Sequence, residues 1–299
     1  GPVLVLTANR VKSLGRQLRK GWPVASIALG ARQQTQIFDL AFGQAGLQAD
    51  HDINLVAEKG GSLADHATRI LRHAKLLPAA LLARLPFRDI AAQDRFVTEL
   101  NILSLDVRDL DAFQHSDSAV RVAARARVPL AVAEDAEVVM FRTDSGGEDH
   151  FAVLIGTGAG DSAPLVRLHS QCITGDVLGS LKCDCGDQLQ GAMRLMVTAG
   201  GGILVYLAQE GRDIGLLNKM RAYALQDDGM DTVDANPALG FDTDERVFMP
   251  AARILAALGV SQVRLITNNP DKMAQLEQCG VTVTARVPLV LASNPHNAA

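Results

Sequence analysis

The sequence predicts an α/β protein in which a mixed sheet carries helices on both faces, preceded by a smaller N-terminal α/β or α+β domain. Short apolar runs alternate with segments of helical period throughout the second part of the chain, as expected for strands that alternate with helices. The first part is rich in Ala, Leu and Arg and has fewer such alternations. The length of 299 residues accommodates two domains of ~150 residues each. We place the boundary between residues 3–124 and residues 125–299.

In the first part, Val3–Leu6 and Val24–Leu29 are predicted to be short buried strands. Ser62 is predicted to begin a helix, because Asp65 stands where a capping box places an acidic residue. Pro78 lies inside the apolar stretch that follows this helix and is expected to break that stretch. Residues 115–129 are expected to be the connection to the second part. The helix that starts at Ser62 is expected to bury one face formed by Leu63, Ala67, Ile70, Leu71 and Ala74.

In the second part, apolar runs bounded by turn residues predict strands, and runs of helical period predict the helices between them. Gly146-Gly147 is expected to form the turn between the first two strands. Since loops carry function on such a scaffold, we look for the chemistry in the polar loops. The predicted strands are Val138–Phe141, Phe151–Ile155, Leu165–Leu168, Ile203–Leu207 and Val263–Ile266. The predicted helices run from Leu189 to Gly200, over about 214–226 and 248–258, and from Pro270 to Gly280.

Composition excludes several classes of function. The net charge of −4 provides no global field for nucleic acid or for an anionic membrane. No apolar run approaches the ~18–20 residues that span a bilayer, and no export signal opens the chain. Three of the four cysteines crowd into the stretch from Cys172 to Cys185, which is unusual for a disulfide framework. We therefore expect a reduced, cytoplasmic protein whose clustered thiols hold a metal.

The cysteines Cys172, Cys183 and Cys185 have C-x10-C-x-C spacing, and they can converge on one tetrahedral Zn²⁺ if the loop between them folds back. Spacing alone leaves two alternatives open. His169 can be a fourth ligand, which gives a closed structural site, or water can occupy the fourth position, which is the catalytic arrangement. Cys279 lies far along the chain and is expected to be a small buried apolar residue.

A series of further blocks, in order over more than a hundred residues, resembles GTP cyclohydrolase II. The chain from Arg167 to about Asn297 matches that family segment by segment. The blocks are Arg167-Leu168-His169-Ser170, Cys172 with Thr174-Gly175-Asp176, Cys183-Asp184-Cys185-Gly186, Gln209-Glu210-Gly211-Arg212, Gly215-Leu216-Leu217-Asn218-Lys219, Arg221-Ala222-Tyr223-Ala224-Leu225-Gln226, Asp231-Thr232-Val233, Leu239-Gly240-Phe241, Asp244-Glu245-Arg246, Thr267-Asn268-Asn269-Pro270 with Lys272, and Arg286-Val287-Pro288-Leu289.

The resemblance implies a role for each matching position. It implies that Cys172, Cys183 and Cys185 bind one zinc ion per subunit. It implies that Asp244 is a proton acceptor, that Arg246 is the nucleophile at the α-phosphate, and that Tyr223 lies near the reacting ring carbon. Arg246 can instead stabilise the departing pyrophosphate, and the residue types leave both roles open. The positions implied to line the GTP site are Arg167, Leu168, His169, Ser170, Gln171, Gln188, Glu210, Gly211, Arg212, Thr232, Thr267 and Lys272.

The implied reaction is the zinc-dependent opening of the guanine imidazole ring of GTP, with release of formate and pyrophosphate. The product is 2,5-diamino-6-(5-phosphoribosylamino)pyrimidinone, for riboflavin biosynthesis. We also expect Mg²⁺ with the triphosphate, with Asp176 and Asp184 as candidate ligands, and a homodimer. The alternatives are a cyclohydrolase that retains the formyl group or serves another pathway, and a non-catalytic GTP-binding homologue.

The N-terminal part occupies the place where bifunctional relatives carry 3,4-dihydroxy-2-butanone-4-phosphate synthase. The acidic metal-binding loop of that enzyme, Arg-x-Asn-Glu-Gly-Asp, has no counterpart here, and Glu58-Lys59-Gly60-Gly61 is a poor substitute for it. We therefore expect residues 3–124 to be a degenerate, non-catalytic remnant of such a domain, without synthase activity.

Overall fold

The chain divides into two compact units, and one of them is discontinuous in sequence. The first unit contains Gly1–Ser116 and Ile214–Glu245, and the second contains Asp117–Asp213 and Arg246–Ala299. The compact units follow a different division from the predicted one, because 214–245 joins the N-terminal residues. The boundary near residue 124 therefore remains a prediction about the two parts of the sequence. The computed structural model describes residues 1–44, 53–87, 89–115, 119–143, 149–156 and 161–290.

Strands and helices of the described residues are numbered here in chain order. The strands are β1 (Val3–Thr7), β2 (Val24–Ala28), β3 (Leu55–Glu58), β4 (Ala79–Leu82), β5 (Val120–Arg127), β6 (Glu137–Thr143), β7 (His150–Gly156), β8 (Leu165–Ser170), β9 (Gly201–Leu207), β10 (Gln262–Ile266) and β11 (Thr282–Val287). The helices are α1 (Ala8–Ser13), α2 (Ala31–Thr35), α3 (Ile37–Ala41), α4 (Leu63–His73), α5 (Ile90–Glu99), α6 (Val107–His115), α7 (Cys185–Thr198), α8 (Leu216–Asp227), α9 (Thr232–Ala238), α10 (Met249–Ala257) and α11 (Pro270–Gln278), and a short π-helical turn spans Ile173–Val177.

The first unit is built on a four-stranded antiparallel sheet with the order β3-β2-β1-β4. Its apolar core contains Leu4 and Leu6 from β1, Ile27 from β2 and Leu40 from α3, all of them buried. The two strands predicted at the start of the chain are thus present, and the small N-terminal domain is of the α+β kind. Helix α8 and helix α9 form a second apolar cluster in the same unit with Phe42 and Leu77.

Helix α4 begins at the predicted residue but buries a different face. Ser62 accepts a hydrogen bond from the Asp65 N–H at 3.2 Å, as a helix cap should. The predicted apolar face is wrong, because Leu63 is 71% exposed and Ile70 is 39% exposed. The helix instead turns the small side chains of Ala64 and Thr68 inward, where Ala64 packs with residues of β1 and β2. Small residues on the buried face allow the helix to approach the sheet closely.

The second unit contains a seven-stranded mixed sheet with the order β11-β10-β8-β9-β7-β6-β5. The first four of these strands are parallel to one another, and the remaining pairs are antiparallel. Side chains alternate between the two faces, so that Leu168 and Val205 pack with α10 while Leu165 and Leu204 pack with α7. The predicted mixed sheet with helices on both faces is therefore confirmed.

Two predictions at the start of this unit need comment. Residues 115–129 were expected to be a connection, and this is wrong, because β5 forms the edge strand beside β6. The side chains of β5 are largely exposed and its apolar positions are mostly alanine, so the sequence signal for a strand is weak. Gly146-Gly147 and part of the predicted connection, 116–118, lie outside the described residues. Among the described helices, none is long and apolar enough to cross a membrane.

Candidate functional site

The candidate site lies at one edge of the seven-stranded sheet, where three parallel strands end together. Strand β8 pairs with β9 so that Ser170 lies beside Leu207, and β10 lies on the other side of β8. In parallel sheets, ligands bind in the loops beyond the carboxyl ends of the strands. The segments that follow β8, β9 and β10 carry most of the candidate residues of the second unit. These residues are Gln171, Cys172, Cys183, Cys185, Gln188, Glu210, Gly211, Arg212, Thr267 and Lys272.

Three cysteines converge beyond the end of β8. The Sγ atoms of Cys172, Cys183 and Cys185 all lie within 4.8 Å of one another, and those of Cys172 and Cys183 are 3.6 Å apart. Ligands at ~2.3 Å from a tetrahedral zinc are separated by about 3.8 Å, so the sulfur spacing fits such an ion. The loop folds back as the spacing required, because the π-helical turn at Ile173–Val177 brings Cys172 towards the start of α7.

Two glycines permit this convergence. A Cβ on Gly175 would lie 2.8 Å from the Cys183 Sγ and 3.2 Å from the Cys172 Sγ. A Cβ on Gly186 would meet the Gly175 carbonyl oxygen, so α7 can approach the loop closely only because residue 186 lacks one. The Gly175 N–H also donates to the Cys172 Sγ at 3.4 Å. The thiols are therefore enclosed by backbone that has no room for larger residues.

The electrostatics of the three thiols call for a cation. A hydrogen bond with Cys172, burial, and the neighbouring Cys172 and Cys183 sulfurs all raise the pKa of the Cys185 thiol well above its usual range. Three crowded thiols cannot all ionise unaided, whereas a divalent cation between them favours the thiolate form of each. Soft thiolate donors in a small tetrahedral site suit zinc. The residues present therefore fit a zinc ion.

A buried carboxylate supports this loop from behind. Asp176 accepts hydrogen bonds from the Tyr206 hydroxyl at 2.8 Å, from the Cys172 N–H at 3.0 Å, and from the His169 Nε2 at 3.1 Å. Burial alone would raise the pKa of Asp176, but these hydrogen bonds and the His169 ring outweigh it, and the pKa is lowered. Burial and the hydrogen bond to Asp176 in turn raise the pKa of Tyr206.

This network bears on two sequence expectations. Because a carboxylate only accepts, His169 must carry a proton on Nε2, and that nitrogen serves Asp176. Among the described residues, the only group of three or more suitable ligands that converges as a metal site is the three cysteines, without His169. Asp176 likewise has its oxygens occupied by three donors, which disfavours it as a Mg²⁺ ligand. Tyr206 was missed by sequence reasoning because it lies within an apolar strand run.

Cationic side chains gather beside the thiols. Arg167 is 7% exposed, and it donates to the Ile266 carbonyl at 3.1 Å and to the Gln188 side chain at 2.5 Å. Gln188 in turn donates to Asp184 at 2.5 Å. Burial lowers the pKa of Arg167, Cys185 and Asp184 oppose the shift, and the charge of Arg246 adds to it.

Arg246 and Lys272 contact the same aromatic ring. The Arg246 Cζ lies 5.9 Å and the Lys272 Nζ lies 5.8 Å from the centre of the buried Phe248 ring. Such contacts hold each cation over the ring face at a fixed position. Thr267, which is buried, shapes the turn before α11 by accepting from the Asn269 N–H at 3.1 Å. The structure therefore brings together Arg246 and Lys272, which are 26 residues apart in sequence, at one aromatic ring.

The loop after β9 has a strained backbone. Gly211, Arg212 and Asp213 have φ angles of 65°, 61° and 73°, so three successive residues are left-handed. Outside glycine this conformation costs energy and clusters at functional sites. Glu210 precedes them, buried, with its carboxylate accepting from the Ile173 N–H at 2.6 Å. Glu210 thus ties this loop to the loop of the thiols.

Several buried polar atoms at this edge have no hydrogen-bond partner within the described part of the chain. They are the Arg167 Nε, the Ser170 Oγ and the Gln209 Oε1. Buried polar groups are normally satisfied, and exceptions call for an explanation such as a ligand or water. The sequence had placed Arg167 and Ser170 in the GTP-lining segment.

Comparison with known proteins identifies the family. The model of the family described as GTP cyclohydrolase II matches residues 120–288. A "GTP cyclohydrolase-2" of Azospirillum brasilense is 42% identical over 302 residues, which cover 99% of this chain and 77% of that protein. The chain belongs to the GTP cyclohydrolase II family. The resemblance seen in the sequence, and the enzyme type it implied, are therefore confirmed.

Two further relatives differ in how much of the chain they share. The "Riboflavin biosynthesis protein RibBA" of Salinispora tropica is 41% identical over 309 residues, covering 99% of this chain and 76% of that protein. A "GTP cyclohydrolase-2" of Salmonella typhimurium is 49% identical over 174 residues, covering 58% of this chain and 88% of that protein. Members of the GTP cyclohydrolase II family thus occur both with and without similarity over the full length of the chain.

Three of the residues assigned through the family resemblance belong to the first unit. Tyr223 lies on α8, where the Lys219 Nζ is 5.7 Å from the centre of its ring. Thr232 begins α9, and its side chain lies outside the described residues. Asp244 lies at the end of the 214–245 segment, two residues before Arg246 begins the second stretch of the other unit. Their assignment to GTP remains a proposal.

Proposed function

We propose that the chain opens the guanine imidazole ring of GTP hydrolytically, releasing formate and pyrophosphate, and acts in riboflavin biosynthesis. The product would be 2,5-diamino-6-(5-phosphoribosylamino)pyrimidinone. The observation that carries the proposal is the convergence of three thiols in a chain of this family. Beside them lie the buried Arg167 and the two cations that contact the Phe248 ring. The alternative of a non-catalytic GTP-binding homologue is not favoured, because every residue type that the reaction needs is present.

Cys172, Cys183 and Cys185 would hold the zinc ion, which in a site of this kind acts as a Lewis acid for hydrolysis. Asp176 fixes the loop that carries Cys172, through the Cys172 N–H. It also holds the His169 ring in one orientation at the edge of the cluster. A group that hydrogen-bonds to the residues around a metal sets the direction of its ligands and of neighbouring side chains.

The triphosphate would be bound by Arg212, Arg246 and Lys272, with Thr267 at the start of α11. The N-terminus of a helix offers N–H groups to an anion, and Arg246 and Lys272 add positive charge beside the Phe248 ring. At the guanine base of GTP, the Glu210 carboxylate would accept hydrogen bonds, and the Gln188 side-chain amide would accept or donate them. The residues also assigned to this surface are Arg167, Leu168, His169, Ser170, Gln171 and Gly211.

Magnesium would be carried by the phosphates. Among the described residues, no acidic cluster of three or more ligands converges as a cation site, since the only such group is the three cysteines. Mg²⁺ commonly keeps several waters and binds through substrate phosphates with few protein ligands. Asp184, which already accepts from Gln188, would contribute at most one oxygen.

The position of Arg246 supports a role in stabilising charge. It lies over Phe248 in the company of Lys272 and within electrostatic range of Arg167, as expected for a group that neutralises the departing pyrophosphate. The alternative role as nucleophile requires a base, for which the resemblance offers Asp244. Arg246→Lys tests the first role: stabilisation by charge predicts that turnover falls but persists.

The central experiment is mass spectrometry of the reaction with GTP for the wild type, Cys183→Ser and Cys279→Ser. Cys279 is the matched control, because it is a half-buried cysteine outside the thiol cluster. We expect formate and the predicted product from the wild type and Cys279→Ser, and neither product nor stoichiometric zinc from Cys183→Ser. Turnover by Cys183→Ser would refute the role of the cluster, and an intact formyl group in the product would favour the formyl-retaining variant.

The proposal extends to the assembly of the enzyme. We propose a cytoplasmic homodimer whose N-terminal part has no synthase activity, because the acidic loop of that enzyme has no counterpart in the sequence. Turnover of ribulose 5-phosphate by the purified protein would contradict the last point. Sedimentation equilibrium would test the dimer.

A further inference from the structure

The 214–245 segment belongs to the same compact unit as the N-terminal residues. It carries Tyr223, Thr232 and Asp244, the three positions of the proposed reaction that lie outside the second unit. The N-terminal residues had been interpreted as a remnant without a catalytic role. Their contacts with this segment are concentrated and polar, and they suggest a different interpretation.

Among the residues of the first unit whose burial the structure describes, Arg10 is the most buried cation, at 1% exposure. Its guanidinium donates to the Ala238 carbonyl at 2.6 Å and to carbonyls of Asp39, Leu40 and Gly43 at 2.5–2.9 Å. Burial lowers its pKa to about 10, partly offset by Asp39. Ala238 is the last residue of α9, so Arg10 caps the end of that helix, where carbonyls lack partners.

Thr7 and Asn9 form hydrogen bonds with residues 240–242, which follow Ala238 in the chain. The Thr7 hydroxyl donates to the Gly240 carbonyl at 2.7 Å. The Asn9 amide donates to the Phe241 carbonyl and to the Asp242 carboxylate, each at 2.7 Å. Gly240 has a φ of 90°, and a Cβ there would lie 3.0 Å from the Thr7 Oγ1, so the two parts pack without space for a side chain.

Arg72 and Lys75 extend these contacts. Arg72 forms ion pairs with Asp242 at 3.0 Å and with Glu245 at 3.3 Å. At the other end of the segment, the fully buried Asn218 donates to the Lys75 carbonyl at 2.8 Å. Thus the segment is held at its start, and again from 238 to 245 around the residue proposed as proton acceptor.

We propose that the N-terminal residues are a positioning element for the reaction, in which Thr7, Asn9 and Arg10 fix the backbone 238–242 that leads to Asp244. The inference rests on the proposed function, since it concerns residues assigned to that reaction. Each of these hydrogen bonds also contributes to stability, which apolar contacts could serve as well. Directional hydrogen bonds to consecutive carbonyls instead fix the geometry of a backbone, which a proton acceptor requires.

The test compares Asn9→Ala and the double variant Thr7→Val/Asn9→Ala with Ile27→Val. Asn9 is half-buried, so its removal should leave the protein folded. Ile27 lies in the sheet core of the same unit, so Ile27→Val lowers Tm through packing lost elsewhere in that unit. We measure kcat and KM for GTP, bound zinc, Tm, and hydrogen exchange of the peptides that cover 238–245.

We expect kcat to fall by about tenfold or more in the double variant, since small misplacements of reacting groups have large effects. KM and bound zinc should stay at wild-type values, and exchange over 238–245 should accelerate. Ile27→Val should lower Tm and keep wild-type kcat. A wild-type kcat in the double variant, or an equal loss of kcat in Ile27→Val, would overturn the inference alone. Absence of GTP turnover by the wild type would overturn the proposed function and the inference with it.

Discussion

Replacing Tyr206 by Phe tests the buried network behind the thiols. The change removes one hydroxyl that donates to Asp176 at 2.8 Å and keeps the ring, which stacks on Phe151 at 4.5 Å and on His169 at 5.4 Å. A hydrogen bond to a charged group contributes about 1.5–3 kcal/mol. Because Tyr206 is half-buried and Asp176 keeps two other donors, we expect a loss at the lower end, about 1.5 kcal/mol.

The same change has a consequence for pH. The folded pKa of Asp176 is lowered from 3.8, so its stabilisation is present above the unfolded value and is lost as the pH falls through the folded value. Without the Tyr206 hydroxyl the folded pKa rises towards the unfolded one. The stabilisation from Asp176 is then smaller, and it disappears at a higher pH than in the wild type.

Urea unfolding from pH 3 upward, about the range in which the carboxylate titrates, measures both effects. Excess chelator in all samples ensures that loss of zinc at acid pH does not add to the difference. Tyr206→Leu is the graded comparison, because it also removes the stacked ring and should cost more. An unfolding free energy for Tyr206→Phe equal to that of the wild type at neutral pH would refute the assignment of a charge-assisted hydrogen bond here.

Two further substitutions test the backbone around the site. Gly175→Ala should reduce bound zinc and GTP turnover together, because its Cβ would lie 2.8 Å from the Cys183 Sγ. Gly60→Ala is the control and should keep both, because a Cβ there meets nothing within 4 Å. Metal analysis and a turnover assay measure the two quantities. Arg212→Gly should keep or raise the unfolding free energy, by up to about 1 kcal/mol, because glycine adopts the φ of 61° without strain. The affinity for GTP should fall, because a cation is lost. Calorimetry of unfolding and of GTP binding would show whether the two quantities separate.

The sequence predicted most of the second unit because its central strands, such as β8 and β9, are apolar and several of its helices carry clear boundaries. The cap at Asn269 and the proline at 270 mark the start of α11, where Asn269 accepts from the Asp271 N–H at 2.8 Å. Strand β5 was missed because its apolar positions are mostly alanine, a weaker strand signal than the branched residues of the buried strands. The buried face of α4 was missed because small residues, which hydrophobic periodicity ranks low, pack against the sheet there.

The site was predicted unevenly for a related reason. Cysteines at close spacing predict a metal site from sequence alone, and the positions of the three sulfur atoms agree with that prediction. Phe248 and Tyr206 give no such signal, because a buried aromatic residue is most often part of the core. Their roles depend on which charged groups meet them, Lys272 and Arg246 in one case and Asp176 in the other. Contacts between residues distant in sequence decide such roles, and no local pattern records them.

Arg167, Arg246 and Lys272 would allow a chain of net charge −4 to receive a polyanion. Burial lowers the pKa of Arg167, and the charge of Arg246 lowers it further, so the two guanidinium groups repel each other in a partly desolvated place. Cys185 and Asp184 oppose this shift. Gln188 and the Ile266 carbonyl accept hydrogen bonds from Arg167 without adding charge. A bound triphosphate would add further negative charge and reduce the repulsion. On the proposed function, the affinity for the nucleotide would therefore come from cations that are held in place before binding, in spite of the charge of the whole chain.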